Sequence, residues 1–149
     1  MATIPLPLDF KEFLKLLNSH KVRYLLIGGY AVNYHGYVRA TADMDIFIDP
    51  DKRNANKMVS VLKQFGFDNE ELNADLFLNS DNVIRLGVPP VRIEIMSTIS
   101  GVDFDECFET RIQDKWDDVT INVINLEKLK KNKIAADRLK DRTDLEHLR

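Results

Sequence analysis

The sequence predicts an α+β domain, and three observations carry that expectation. Some stretches repeat apolar residues with the period of a helix, whereas others are short, β-rich and alternating. The two kinds mix without the strict βαβ regularity of a doubly wound sheet. At 149 residues, 44% apolar and 30% charged, the chain has the size and composition of one globular unit with its own core. Residues 1–149 are therefore expected to form a single domain, with 126–149 as a C-terminal helical element.

The elements follow in order. Phe10, Phe13, Leu14 and Leu17 recur at i, i+3, i+4, i+7 and predict an amphipathic helix, with Asp9 and Glu12 spaced as a capping box. VRYLLI (22–27) predicts a strand. Gly28-Gly29 leads into YAVNYHG, a short helix ended by Gly36. ATADMDIFID (40–49) predicts the second strand. Asp51 opens a helix with Ala55, Met58, Val59 and Leu62 on its apolar face and Gly66 at its end. LFLNSDNVIRLG (76–87) predicts two short strands joined at 79–82, and VRIEIMS (91–97) a further strand. Residues 104–110 predict a short helix and VTINVIN (119–125) an alternating strand. Asn125 is placed to cap a helix running to about Leu139, and a last helix is expected from near Asp141.

Composition excludes several classes. No apolar run of about 18 residues exists, so no membrane span is expected. MATIPLPLDF has no basic region followed by an apolar stretch, which predicts no secretory leader. A lone cysteine, Cys107, allows no internal disulfide and suits a reducing cytoplasm. The net charge of -3 argues against nonspecific coating of nucleic acid. Charge is nevertheless uneven: residues 127–149 carry 8 Lys/Arg against 5 Asp/Glu, while the remainder is acidic. That basic tail is either a solvated helix face or a surface for phosphates.

The informative anomaly is acidic residues inside an apolar run. By strand parity, Ala40, Ala42, Met44, Ile46 and Ile48 share one face, and Arg39, Thr41, Asp43, Asp45, Phe47 and Asp49 the other. Asp43 and Asp45 lie two strand rises apart, about 6.6 Å. The strand 91–97 repeats the pattern, with Glu94 on its polar face beside Arg92. If the two strands are neighbours, three carboxylates converge. Such a cluster resists ionisation unless a cation offsets it. A hard divalent ion, Mg²⁺ or Mn²⁺, suits all-oxygen ligands. The competing partner is arginine: Arg39, Arg85 or Arg92 can pair with either aspartate, but must then account for Glu94 as well.

Gly28-Gly29 sits at a strand-to-helix junction, where backbone can approach phosphate closely. Gly-Gly followed after 13 residues by D-h-D-h and then a later strand acid resembles the nucleotidyltransferase superfamily with the DNA-polymerase-β-type fold. The string G-G-Y-A-V-x-x-H-G-x-x-R-x-T-x-D-x-D (28–45) and the tail N-K-x-A-x-x-R-x-K-D-x-x-D-x-x-x-L (132–148) are similar to a bacterial and archaeal subgroup. That subgroup contains abortive-infection toxin nucleotidyltransferases and small antibiotic nucleotidyltransferases.

The resemblance implies a mixed sheet flanked by helices, with C-terminal helices. It implies a metal-dependent transfer of an NMP from an NTP such as ATP to an acceptor hydroxyl, releasing pyrophosphate and using two Mg²⁺ or Mn²⁺ ions. Asp43, Asp45 and Glu94 would be the catalytic metal ligands, where the family often has Asp at the third position. Gly28 and Gly29 would hold the triphosphate, with Arg39, Thr41, Lys133 and Lys140 as further phosphate contacts. The acceptor is left open among a small molecule, a protein hydroxyl and an RNA end, and so is the oligomeric state. The alternative from another class is an inactive nucleotide-binding or antitoxin-like module on the same fold. His35 reads as a packed histidine, His20 and His147 lack partners at zinc spacing, and Cys107 reads as core.

Overall fold

The computed structural model describes residues 5–79 and 81–149. Seven helices and six strands are found among them: α1 (Leu8–Ser19), β1 (Tyr24–Ile27), α2 (Gly28–Tyr34), β2 (Asp43–Ile48), α3 (Lys52–Phe65), α4 (Asp75–Leu78), β3 (Val83–Leu86), β4 (Arg92–Met96), α5 (Phe104–Glu109), β5 (Ile112–Trp116), β6 (Val119–Val123), α6 (Leu126–Ala136) and α7 (Leu139–His147). The strands form one mixed sheet in the order β3-β4-β2-β1-β6-β5. β1 runs antiparallel to β2 and parallel to β6, and β2 runs parallel to β4. The α+β reading holds, with helices flanking a six-stranded mixed sheet.

The apolar stripe of α1, Phe10, Phe13, Leu14 and Leu17, is fully buried and packs toward α3 and β6. Phe10 meets Tyr30 of α2 edge-on, with ring centroids 5.5 Å apart, and Tyr30 in turn tilts against Trp116 at 5.5 Å. α3 starts where the Asp51 side chain accepts from the Asn54 amide and ends at Gly66. The buried apolar residues form one continuous cluster.

Several local expectations are corrected. The capping box at Asp9 and Glu12 is not formed, because α1 starts after Pro7 with no side-chain cap. The second strand begins at Asp43, so Ala40 and Ala42 lie in an exposed loop rather than the core. The stretch expected as two strands over 76–87 is helix α4 followed by β3, and its turn at 79–82 includes residue 80, outside the described residues. β5 was not foreseen: it pairs with β6 through a hairpin whose two turn residues, Asp117 and Asp118, both have positive φ (52° and 67°). The tail breaks earlier than expected, at Asp137 in the left-handed conformation, so α6 ends at Ala136 and α7 starts at Leu139.

Phe47 is the apolar member of the acidic face. It shares parity with Asp43 and Asp45 yet is buried, because Phe104 of α5 covers it at 5.2 Å. Helix α5 therefore closes one end of this sheet face and leaves the acidic end open. Among the described residues no helix is long and apolar enough to cross a membrane.

Candidate active site

The site forms where β2 and β4 run side by side. Their parallel register sets Asp43 beside Arg92 and Asp45 beside Glu94, which puts paired residues one strand spacing apart, about 4.8 Å. Asp43, Asp45 and Glu94 thus share one region of the sheet.

Their environments differ. Asp43 is held bidentate by Arg92, with Nε and Nη2 donating to its two oxygens at 2.9 Å each. Glu94 Oε1 is approached by Arg85 Nε at 3.3 Å and Arg92 Nη2 at 3.4 Å. Among the described residues Asp45 has no ion pair, and its Oδ1 is buried without a hydrogen-bond partner. Burial, followed by the nearby charges of Glu94 and Asp43, pushes the Asp45 carboxyl up to about 7, against a smaller downward pull from Lys140 and Arg138.

The expected three-carboxylate ion shell is therefore not assembled as it stands. Among the described residues no group of three or more His, Cys, Asp or Glu is gathered so as to hold a metal. The guanidinium groups of Arg92 and Arg85 take the free valences of Asp43 and Glu94 instead. In kind, the donor set still fits a hard divalent ion: three carboxylates on adjacent strands, one with an orphaned buried oxygen.

The two glycines have a steric reason of their own. Gly28 has φ +62°, and a Cβ there would lie 2.1 Å from Asp45 Oδ2. A Cβ on Gly29 would lie 2.4 Å from Thr41 Oγ1. Both glycines thus make room for side chains of the acidic strand and the loop before it, which folds α2's start directly against Asp45. Thr41 Oγ1 donates to the Asp43 carbonyl at 3.2 Å and so fixes the entry to β2. Asn33, buried on α2, ties the same loop by donating to the Gly29 and Arg39 carbonyls and accepting from the Arg39 amide. Sequence reasoning passed over Asn33; its only signal was a polar residue on the apolar turn of a short helix.

The tail supplies a buried ionic cluster. Lys133 Nζ, 4% exposed, contacts Asp141 at 3.1 Å and Asp144 at 2.9 Å, and these side chains are 0% and 2% exposed. Asp144 also takes Arg39 bidentate, at 2.8 and 2.9 Å. Arg138 donates to Asp141 at 2.7 Å. Despite their burial, the basic partners hold both aspartates below the usual carboxylate range. Lys133, expected at phosphate, is instead committed to joining α6 to α7. Lys140 is exposed, and with Arg39, Leu139, Thr143 and Asp144 it lines an open cleft of about 470 Å³.

The residues set aside are in keeping with that reading. The His35 ring nitrogen lies 2.8 Å from the Ile124 carbonyl, and burial lowers its pKa. Cys107 is buried, its thiol pushed up to about 11 by burial and by Glu106.

Comparison with known proteins places this geometry in a fold. Neither protein-family models nor curated protein sequences give a match. Among solved structures, a proposed nucleotidyltransferase of Thermotoga maritima superimposes with a TM-score of 0.65 at 16% identity, over 93% of this chain and 88% of that one. The lincosamide antibiotic adenylyltransferase LnuA, solved with lincomycin bound, superimposes with a TM-score of 0.63 at 18% identity, over 98% of both chains. With a mixed sheet presenting Asp43, Asp45 and Glu94 beside the Gly28–Gly29 junction, the chain has the nucleotidyltransferase fold.

Proposed function

We propose that this protein is a metal-dependent nucleotidyltransferase that moves an NMP from an NTP to an acceptor hydroxyl. The observation that carries the reading is Asp45: a half-buried residue with one carboxyl oxygen buried and orphaned, next to Glu94 in register and packed against Gly28. A fold without a use for that charge would have an apolar residue there, since an unpaired buried carboxylate is costly.

Asp43, Asp45 and Glu94 would hold the ions. Two bound Mg²⁺ or Mn²⁺ ions would supply the positive charge that lets all three acids ionise together and that offsets charge on the transferring phosphate. Gly28 and Gly29 present backbone beside Asp45, where side chains would block a polyphosphate. Arg39 and Lys140 flank the adjoining cleft and orient the phosphates, while Thr41 fixes the loop between them. Lys133 acts indirectly, by fixing Asp144 and through it Arg39. In the reaction the acceptor oxygen bonds to the α-phosphorus, the bond to the β-phosphate oxygen breaks, and pyrophosphate leaves. Glu94 takes the acceptor's proton. Positioning and charge neutralisation supply most of the acceleration.

The acceptor we propose is a small hydroxyl-bearing molecule. LnuA is named for a lincosamide acceptor, and the acidic body of this chain disfavours a long nucleic acid. A second reading, a nucleotide-binding or antitoxin-like module without turnover, is favoured by the arginines that occupy Asp43 and Glu94. Incubation with each α-³²P-labelled NTP, Mg²⁺ or Mn²⁺ and candidate acceptors separates the two. Label transfer with pyrophosphate release supports the enzyme; nucleotide binding without transfer supports the module.

A further inference from the structure

We infer that Arg92 is the site's resident cation, a guanidinium that competes with a divalent ion for Asp43 and is released only when a nucleotide triphosphate arrives to receive it. The inference rests on the proposed function and adds to it an order of events and a residue that sets it.

The argument starts from exclusivity. Both oxygens of Asp43 are engaged by Arg92, at 2.9 Å each, and the same Nη2 reaches Glu94 at 3.4 Å. While this fork is in place each Asp43 oxygen has one lone pair committed to Arg92, and the guanidinium's positive charge sits where it repels an ion drawn to the lone pairs that remain. Arg92 is also fixed in place by topology. It stands directly opposite Asp43 across the β2–β4 pair, two residues before Glu94, so its side chain need only lie across one strand spacing.

The pair is nevertheless built to open. The Arg92 side chain is 32% exposed and that of Arg85, which assists it on Glu94, is 58% exposed. Asp43 is itself 27% exposed, and an ion pair in reach of solvent contributes less to stability than one sealed in the interior. The contrast lies within the same molecule and in the acid: the two arginines are similarly exposed, at 32% and 26%, but Arg39 is held by Asp144, whose side chain is 2% exposed against 27% for Asp43 and is also bound to buried Lys133. One arginine–aspartate fork is anchored in the interior; the other faces the open end of the sheet.

Release requires a new anion. A guanidinium freed from Asp43 faces an incoming divalent ion and would be repelled by it. The β- and γ-phosphates of a nucleotide offer pairs of anionic oxygens that the planar guanidinium fork of arginine grips bidentately. Ion binding and nucleotide binding are therefore coupled through Arg92, and the free protein is kept from loading ions alone.

Mn²⁺ titration followed by electron paramagnetic resonance tests this on the full chain. It is run with and without α,β-methylene-ATP, on wild type, Arg92→Gln, Arg92→Lys and Asp45→Asn, each checked for folding by thermal melting. Wild type should bind Mn²⁺ weakly alone and more tightly with the nucleotide. Arg92→Gln should bind Mn²⁺ alone roughly tenfold more tightly than wild type, the weight of about one pK unit of charge interaction. Arg92→Lys, which keeps the charge but not the fork, should fall between them, and it decides the matter if Arg92→Gln does not fold. Asp45→Asn should bind least. Wild type and Arg92 variants with equal, tight affinity and no nucleotide dependence would overturn the role of Arg92 and leave the metal reading standing. No Mn²⁺ bound by any variant, with or without nucleotide, would overturn both.

Discussion

At Asp45 the fold keeps a carboxyl that burial and two neighbouring acids push up to about 7. The consequence for stability has a definite sign. Between the ordinary carboxylate pKa, about 4, and about 7 the folded chain binds a proton that the unfolded chain has lost, so stability falls as pH rises through that window. Asp45→Asn should therefore match wild type near pH 4 and exceed it at pH 8, by on the order of 2 kcal/mol or roughly 4–8 °C in Tm. Melting curves at the two pH values check it. Gly28 is the complementary residue. Its +62° φ and the 2.1 Å that would separate a Cβ from Asp45 Oδ2 predict that Gly28→Ala costs roughly 1–3 kcal/mol. Adding Asp45→Ala should recover part of that loss, and a double-mutant cycle of urea melts measures the coupling. Much at this scale was legible: strand parity put Asp43, Asp45 and Glu94 on the polar face because alternation is a local property. The partner of each acid was not, since the bidentate fork of Arg92 depends on β2 and β4 being neighbours in one register.

The tail shows what sequence patterns miss at the level of whole elements. Residues 127–149 read as a basic helical segment for solvent or phosphate, yet Lys133 is buried between Asp141 and Asp144. Lys133 of α6, Arg39 of the loop before β2 and Arg138 at the α6–α7 break surround the buried Asp141 and Asp144 of α7, and no helical periodicity encodes that. Lys133→Ala should leave two buried carboxylates short of a partner and cost about 3–5 kcal/mol, read by chemical denaturation. Both aspartates titrate below the usual range, so their contribution is present above the ordinary carboxylate pKa and is lost as pH falls through their lower folded values. Amide hydrogen exchange over 126–149 should therefore quicken in strong acid before it does in β1 and β2. Strand β5 went unread for another reason. IQDKW is a short, polar edge strand, and its one marker is the Asp117–Asp118 turn, which needs two positive φ values without the usual glycine. Helix α4, at four residues, is too short to show a helical period at all.

For the molecule as a whole, the two electrostatic features act in opposite directions. The tail cluster favours the folded state as pH rises out of strong acid, and Asp45 opposes it as pH rises toward and past 7. Stability should peak in the mildly acidic range between them. The architecture follows the same division: α6 and α7 hold Arg39 to the body through buried charges, while the open end of β2 and β4 carries the charges that can change partners. The central claim is that this open end transfers nucleotides. It is tested most directly by measuring pyrophosphate release and label transfer from α-³²P-NTP with Mg²⁺ or Mn²⁺, for wild type beside the folded double variant Asp43→Asn/Asp45→Asn. The account predicts transfer that depends on the divalent ion in wild type and is lost in the double variant; equal transfer by both proteins would contradict it.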